Sequence, residues 1–110
     1  MKLLIVGSRN ISDFDFSEYV PPETELIISG GARGVDTLAE EYADSHGIPK
    51  LIIRPDYKRY GRSAPMRRND EMIEHADEVL VIWDGKSRGT DYTARRARAS
   101  GKSVRTVLVP

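Results

Sequence analysis

The sequence predicts an α/β fold in which a mostly parallel five-stranded sheet carries helices on both faces. Continuous apolar runs recur five times along the chain, and such runs are typical of strands that a parallel sheet buries on both faces. Stretches with the apolar period of a helix separate most of these runs. Residues 1–110 are therefore expected to form a single Rossmann-like domain, with the first strand near the middle of the sheet.

Each predicted strand has a continuous aliphatic centre. The five are Lys2–Gly7, Glu25–Ser29, Lys50–Arg54, Glu78–Trp83 and Ser103–Val109. Short polar stretches rich in glycine or arginine follow the first four. Because the carboxyl ends of parallel strands meet at one edge of a sheet, we expect these stretches to lie together there.

Helical spacing of apolar residues predicts a helix that begins at Val35 and ends at Gly47. A small, basic helix is predicted over Thr90–Ser100, and a shorter one over Asp13–Tyr19. Ser63 followed by Pro65 is typical of another helix start. The apolar residues of this helix that we expect to be buried are Met66, Met72, Ile73 and Ala76.

Composition excludes several classes of protein. The formal net charge is zero, so the chain as a whole is not a general polyanion binder, although residues 51–110 carry thirteen basic and eight acidic side chains. Cysteine is absent, which excludes disulfides and thiolate sites, and no other metal-binding pattern occurs. The first apolar run is too short for a signal peptide or a membrane span. We expect a cytoplasmic protein without a membrane segment.

Gly30, Gly31 and Gly34 lie between a predicted strand and a predicted helix. Glycines at a helix start leave backbone N–H groups open to an anion, and Arg33 would add a bidentate contact to a phosphate. The alternative is that these glycines only form a tight turn. The similar stretch Gly85–Thr90, also before a helix, favours the phosphate interpretation.

Other residues at this edge complete the candidate ligand site. Asp84 ends a strand, where its carboxylate could meet ribose hydroxyls or form an Asx turn. Asp36 is either a partner of the helix dipole or a ribose contact. The candidate ligand-binding residues are Gly7, Ser8, Arg9, Ser29, Gly30, Gly31, Arg33, Gly34, Asp36, Arg67, Asn69, Asp84, Gly85, Ser87, Gly89 and Thr90.

The segment 54–68 holds six basic side chains and one acidic one, with Tyr57 and Tyr60 among them. Basic and aromatic residues in alternation bind nucleotides or single-stranded nucleic acid by charge and stacking. The alternative is a solvated connection between two elements. Its length is also typical of a lid over a binding site.

Three motifs in order, Gly-Ser-Arg at 7–9, Ser-Gly-Gly-Ala-Arg-Gly-x-Asp at 29–36 and Trp-Asp-Gly-x-Ser-x-Gly-Thr at 83–90, resemble the YspA-type branch of the SLOG superfamily. The resemblance runs nearly end to end. It implies a Rossmann-like fold that senses or processes nucleotide-derived ligands, in proteins that are often homo-oligomers and commonly dimers. Related branches include the LOG phosphoribohydrolases and the DNA-processing protein A family, whose Ser-Gly-x-Ala-x-Gly-x-Asp motif is similar to residues 29–36.

The LOG enzymes have two glutamates where this chain has Tyr92 and Thr93. Asp84 and Asp91 are the candidate catalytic substitutes. Three hypotheses follow: binding of a nucleotide-derived, phosphate-containing small ligand; nucleotide N-glycosidic hydrolysis with a non-standard carboxylate; and single-stranded nucleic-acid binding. No cofactor beyond such a nucleotide-derived ligand is expected, and no metal site is predicted.

Overall fold

The computed structural model covers residues 1–110, and its centre is a five-stranded, all-parallel sheet. The strands are β1 (Lys2–Gly7), β2 (Leu26–Ser29), β3 (Lys50–Ile52), β4 (Glu78–Trp83) and β5 (Ser103–Leu108). Their order in the sheet is β3-β2-β1-β4-β5. The prediction that the first strand lies near the middle is confirmed.

The helices are α1 (Val35–Ser45), the short α2 (Tyr57–Tyr60), α3 (Ala64–His75) and α4 (Arg88–Ala99), and a 3-10 turn, Gly61–Ser63, joins α2 to α3. One core cluster packs α1 and the β1–β2 connection against one face of the sheet. A second cluster packs α3 and α4 against the other face. The predicted α/β class, with helices on both faces of a parallel sheet, is confirmed.

Side chains of β1 divide between the two cores as the alternation of a strand requires. Leu3 and Ile5 belong to the cluster that contains Val35 of α1. Leu4 and Val6 belong to the cluster that contains Met72 of α3. A strand buried on both faces has no polar side, which is why its sequence is a continuous apolar run.

The helix predicted over Asp13–Tyr19 does not form. The carboxylate of Asp15 accepts a hydrogen bond from the N–H of Ser17 at 2.9 Å, a local interaction that competes with helical hydrogen bonding. Phe16 is instead buried at 2% exposure, with the ring of Phe14 edge-on to it at 5.0 Å. The β1–β2 connection therefore covers its part of the sheet with aromatic side chains rather than a helix.

Two other differences concern the segment before and within α3. Asp56, whose carboxylate accepts a hydrogen bond from Arg59 N at 3.1 Å, caps α2 inside what the sequence indicated as a loop. Met66, expected to be buried, is 48% exposed. Ala64 is the buried residue of that first turn of α3, and its small side chain allows close packing while the longer Met66 stays outside.

Helix α4 begins at Arg88, two residues before the predicted start, so Gly89 lies in its first turn. The strand order reverses between β1 and β4, which brings the loop after β1 next to the loop before α4. In open parallel sheets, ligands bind at this reversal, beyond the carboxyl ends of the strands. No helix of the chain is both long and apolar enough to cross a membrane.

Candidate functional site

A cleft of about 510 Å³ opens at the carboxyl edge of the sheet, where the strand order reverses. Its wall combines the loops after β1, β2 and β4 with residues of α3, of α4 and of the first turn of α1. The lining residues are Val6, Gly7, Arg9, Asn10, Ala32, Asp36, Pro65, Arg68, Asn69, Met72, Asp84, Ser87, Gly89, Thr90 and Thr93. Eight of the sixteen candidate ligand residues line it, namely Gly7, Arg9, Asp36, Asn69, Asp84, Ser87, Gly89 and Thr90.

Ser8 holds the loops of this edge together and is itself 1% exposed. Its N–H donates to Ile82 O at 3.1 Å, and its hydroxyl accepts from Asp84 N at 3.1 Å. Its carbonyl accepts from Val35 N at 3.3 Å. Ser8 therefore lies behind the cleft and joins the ends of β1 and β4 to the start of α1.

The loop before α4 is fixed by its own side chains. The Asp84 carboxylate accepts hydrogen bonds from the N–H groups of Lys86 and Ser87, both at 2.8 Å. These bonds, chiefly the one from Ser87, hold the pKa of Asp84 below its ordinary value. The indole N–H of Trp83 donates to Ser87 O at 2.9 Å. Asp84 thus forms the Asx turn that was one of its two predicted roles.

The start of α4 has free backbone donors. Ser87 occupies the N-cap position, but its hydroxyl pairs with Thr90 Oγ1 at 3.0 Å and makes no capping hydrogen bond to the backbone. The first hydrogen bond of the helix runs from Asp91 N to Ser87 O at 3.2 Å. No helical carbonyl therefore satisfies the N–H groups of Arg88, Gly89 and Thr90, and the last two residues line the cleft.

The start of α1 has less room. Val35 N already donates to Ser8 O. A Cβ at Gly34, where φ is +77°, would lie 2.5 Å from Arg9 O. A Cβ at Gly30 would lie 2.6 Å from Arg68 Nη1. These glycines permit close contact between chain segments, which was the alternative to the phosphate interpretation.

Asp36, in the first turn of α1, is 7% exposed and lines the cleft. Its Oδ2 accepts a hydrogen bond from Ala32 N at 3.1 Å. Burial raises the pKa of this carboxyl, while the Ala32 N–H and the charge of Arg68 act in the opposite direction. An acidic group is thus kept in a partly desolvated position beside the cleft.

Arg68 and Asn69 of α3 connect the two glycine-rich loops. Arg68 Nη1 donates to Gly30 O at 2.6 Å, and its Nε donates to Asn69 Oδ1 at 2.8 Å. Asn69 Nδ2 donates to Thr93 Oγ1 at 3.1 Å, and that hydroxyl donates to Gly89 O at 3.0 Å. Burial lowers the pKa of Arg68, and the negative charge of Asp36 opposes this shift.

The other eight candidate ligand residues lie outside the lining, at Ser8, Ser29, Gly30, Gly31, Arg33, Gly34, Arg67 and Gly85. Ser29 is fully buried and donates to Glu40 Oε2 at 2.6 Å. Arg33 is exposed. The guanidinium of Arg67 lies 4.7 Å from the centre of the Tyr60 ring, on the outer side of α3.

Asp91, the second catalytic candidate, is also absent from the cleft. Its carboxylate pairs with Arg95 Nε at 3.0 Å, one turn further along α4. Of the two catalytic candidates, only Asp84 borders the cleft, and backbone N–H groups already engage one of its carboxylate oxygens.

The candidate set omitted three polar lining residues, Asn10, Arg68 and Thr93. The signal for Arg68 was present, because it lies four residues before the buried Met72 and so shares its face of α3. Arg67, which was chosen instead, shares its face with the exposed Glu71. Asn10 and Thr93 carry no comparable signal.

The basic segment 54–68 borders a second cleft of about 470 Å³, between α2 and α3. Its charges are partly used inside the chain. Arg54 donates to Gly31 O at 3.2 Å, and Arg68 separates the second cleft from the first. Aspartates and glutamates, among them Asp56 and Glu74, line the second cleft beside the arginines.

Comparison with known proteins places the chain in a family. The YAcAr family model, described as the YspA, cpYpsA-related SLOG family, matches residues 1–60, more than half of the chain. The chain belongs to this family. Family membership suggests nucleotide-related binding or processing. The matched range contains β1 to β3, α1 and α2, whereas α3 and α4 lie beyond it.

One curated relative is Gene 61 protein of Mycobacterium phage D29. It is 29% identical over 85 residues, which cover 72% of this chain and 68% of the relative. No solved structure matches the chain.

Proposed function

We propose that this SLOG family member binds a nucleotide-derived, phosphate-containing small ligand in the 510 Å³ cleft, with the phosphate at the start of α4. The observation that carries this proposal is the set of N–H groups at Arg88, Gly89 and Thr90, which precede the first hydrogen bond of the helix. A helix start with free N–H groups attracts anions through hydrogen bonds and the helix dipole.

Two arginines bring positive charge to the cleft, and since Arg68 already donates from Nη1 to Gly30 O and from Nε to Asn69 Oδ1, Arg9 is the freer of the two. Arg9 lines the cleft, and it belongs to none of the four ion pairs of the chain. Arg68 lines the cleft from the side of α3. Arginine pairs well with phosphate because its planar guanidinium donates two parallel hydrogen bonds. The only acidic side chains in the lining are Asp36 and Asp84.

The proposal is tested by thermal unfolding with inorganic phosphate, AMP, ADP, ADP-ribose, NAD and a short single-stranded oligonucleotide as probes. A ligand at about a hundred times its Kd adds about 2.7 kcal/mol of stability, which is several degrees or more in Tm for a domain of this size. We expect the small phosphorylated probes to raise the Tm.

Arg9→Ala and Arg33→Ala form a matched pair, because both arginines are exposed and follow consecutive strands, but only Arg9 lines the cleft. We expect Arg9→Ala to weaken binding about tenfold or more and Arg33→Ala to leave it unchanged. A flat response to every phosphorylated probe, or a loss confined to Arg33→Ala, would refute the proposal.

The same panel separates the other hypotheses. Base or ribose-phosphate release, detected by product analysis, would show that the chain turns its ligand over. A response to the oligonucleotide alone, with affinity that falls steeply with salt, would indicate nucleic-acid binding through the 54–68 segment. The homo-oligomer that the family resemblance implies, in the simplest case a dimer, stays a prediction that light scattering on the purified protein tests.

A further inference from the structure

The carboxylate of Asp36 is a built-in acceptor within the cleft. The residue is 7% exposed, so more than nine tenths of it is withdrawn from solvent. One oxygen, Oδ2, accepts the hydrogen bond from Ala32 N at 3.1 Å, which fixes the orientation of the carboxylate. Arg68, on the facing helix α3, lies close enough for its charge to act on this carboxyl.

No hydrogen bond of good geometry to the second oxygen of Asp36 forms within the chain, although the N–H of Gly30 also acts on this carboxyl and lowers its pKa. The only enclosed side-chain oxygen or nitrogen that lacks a hydrogen bond is Thr24 Oγ1. Since Asp36 Oδ1 accepts no such bond and is not among the enclosed atoms, it keeps some exposure to solvent, in a residue that lines the cleft. In its ionised form a carboxylate only accepts hydrogen bonds, so a ligand group that pairs with Asp36 in that form must be a donor.

The other carboxylates near the cleft are engaged differently. Asp84 accepts from two backbone N–H groups. Glu40 accepts from the hydroxyl of Ser29 and lies outside the lining. The cleft therefore has two kinds of polar group on opposite sides of β1 in the strand order: free N–H groups at the start of α4, after β4, and the Asp36 carboxylate at the start of α1, after β2.

The surroundings of Asp36 indicate which donor fits. No aromatic side chain lines the cleft, and the other residues that line it on the side of α3 include Arg68, Asn69 and Pro65. A nucleobase is usually held by stacking on aromatic or apolar faces. A sugar hydroxyl is small and polar and needs only a hydrogen-bond acceptor, which matches this position better.

We propose that Asp36 accepts a hydrogen bond from a sugar hydroxyl of the bound ligand and thereby selects ribose-containing phosphates over their deoxy counterparts. This assignment rests on the proposed function, because it needs a phosphate anchored at the start of α4. The presence of free N–H groups and a carboxylate in one cleft is the arrangement that a phosphorylated sugar requires.

The test compares ligands that differ only in their hydroxyls: AMP, 2′-deoxy-AMP, 3′-deoxy-AMP and 2′,3′-dideoxy-AMP, with ribose 5-phosphate and inorganic phosphate as probes without a base. Affinities are measured by calorimetry or thermal shift on the unaltered protein. We expect removal of the recognised hydroxyl to weaken binding about tenfold or more, since hydrogen bonds to charged groups are the strong ones.

Asp36→Asn keeps an oxygen that accepts from Ala32 N but removes the charge. We expect this variant to retain phosphate binding and to lose most of the discrimination between AMP and its deoxy analogues. Asp91→Asn is the control, because Asp91 is paired with Arg95 outside the cleft. It should discriminate as the unaltered protein does.

Each failure has a distinct signature. Equal affinities for AMP and the dideoxy analogue, with binding still dependent on Arg9, would overturn the role of Asp36 and leave the proposed function intact. Discrimination that persists unchanged in Asp36→Asn would also overturn it. Absence of binding by every phosphorylated probe would overturn both proposals together.

Discussion

Two glycine-rich segments at helix starts, residues 30–34 before α1 and residues 85–89 across the start of α4, look alike in the sequence. The space around their glycines differs in the structure. Before α1, the chain fills the space around the glycines with its own side chains and backbone, since Arg68 approaches Gly30 and the Arg9 backbone approaches Gly34. At the start of α4, nothing lies within 4 Å of a Cβ built at Gly89.

The difference teaches that glycine at a helix start serves either internal packing or access by a ligand, and that the occupants of the neighbouring space decide between them. At α1, the carboxylate of Asp36 already lies against the loop and accepts from Ala32 N. At α4, the N-cap Ser87 leaves the N–H groups free. The start of α4 therefore leaves more room for an anion to reach its N–H groups.

Alanine substitution at the two helix starts should give the largest contrast. Gly34 has φ +77°, and an added Cβ would meet Arg9 O at 2.5 Å. Gly34→Ala is therefore expected to lower the free energy of unfolding by about 3 kcal/mol or more. Gly89 lies in a helical turn with open space around it, so Gly89→Ala should leave stability unchanged or raise it by up to about 1 kcal/mol.

Urea unfolding of both variants measures these effects. Phosphate binding provides the second reading, because a methyl group at Gly89 would stand where an anion approaches the backbone. Gly89→Ala should thus weaken binding in a protein of normal stability. Equal destabilisation by both substitutions would mean that the start of α4 is as tightly packed as that of α1.

A smaller effect is expected from the arginine that holds the loop before α1. Arg68 donates to Gly30 O at 2.6 Å and to Ile53 O at 3.4 Å, whereas the neighbouring Arg67 is exposed and lies over Tyr60. Arg68→Met should cost about 2 kcal/mol, because two carbonyls lose a charged donor. Arg67→Met should cost less than about 1 kcal/mol.

Chemical denaturation of the two methionine variants distinguishes the arginines directly. Comparable losses would show that Arg68 contributes no more than a surface contact and that the loop at Gly30 is held by other means. The pair also tests the helical register, since adjacent residues of one helix face different directions.

The fold could be predicted where burial leaves a pattern in the sequence, such as the continuous apolar runs of strands that are buried on both faces. All five strands and the helices α1, α3 and α4 correspond to predicted elements, with ends that differ by a few residues. The helix predicted over Asp13–Tyr19 was wrong, because the local hydrogen bond from Ser17 N to the Asp15 carboxylate competes with helical hydrogen bonding. A hydrogen bond of this kind leaves no periodic pattern of apolar residues in the sequence, so it could not be predicted from such a pattern.

The sequence predicted where the site lies, at the carboxyl edge of the sheet, but not which residues contact one another there. Parallel strands bring their following loops to one edge, so Gly7, Asp84 and Gly89 were expected near one another. Sequence alone does not show how much space surrounds each glycine, and the open space at Gly89 is what favours it over Gly30 as the proposed anion contact. Whether Arg68 or Arg67 faces the cleft depends on which side of α3 is buried, and the buried Met72, four residues after Arg68, identifies that side.

The smallest expected effect concerns Asp36 and Asp84, which lie near the starts of α1 and α4. Their contributions to the free energy of unfolding should change with pH in opposite directions. Burial raises the pKa of Asp36 above its ordinary 3.8, so the folded chain holds this proton more tightly than the unfolded chain. Stability is then lost as the pH rises from about 3.8 through the raised pKa. Asp36→Asn has no charge to desolvate, so it should be at least as stable as the unaltered protein at pH 7 and should converge with it in acid.

Asp84 should behave in the opposite way. Backbone N–H groups, chiefly of Ser87, lower its pKa, so its contribution to stability is present above the ordinary value of 3.8 and is lost as the pH falls through the lowered one. Asp84→Asn should therefore be the less stable protein at pH 7, and the gap should close in acid. Thermal unfolding of both variants between pH 3 and pH 7 measures the two slopes. Slopes of the same sign would mean that the two carboxylates have similar surroundings, and the contrast between a crowded α1 start and an open α4 start would then lose its electrostatic support.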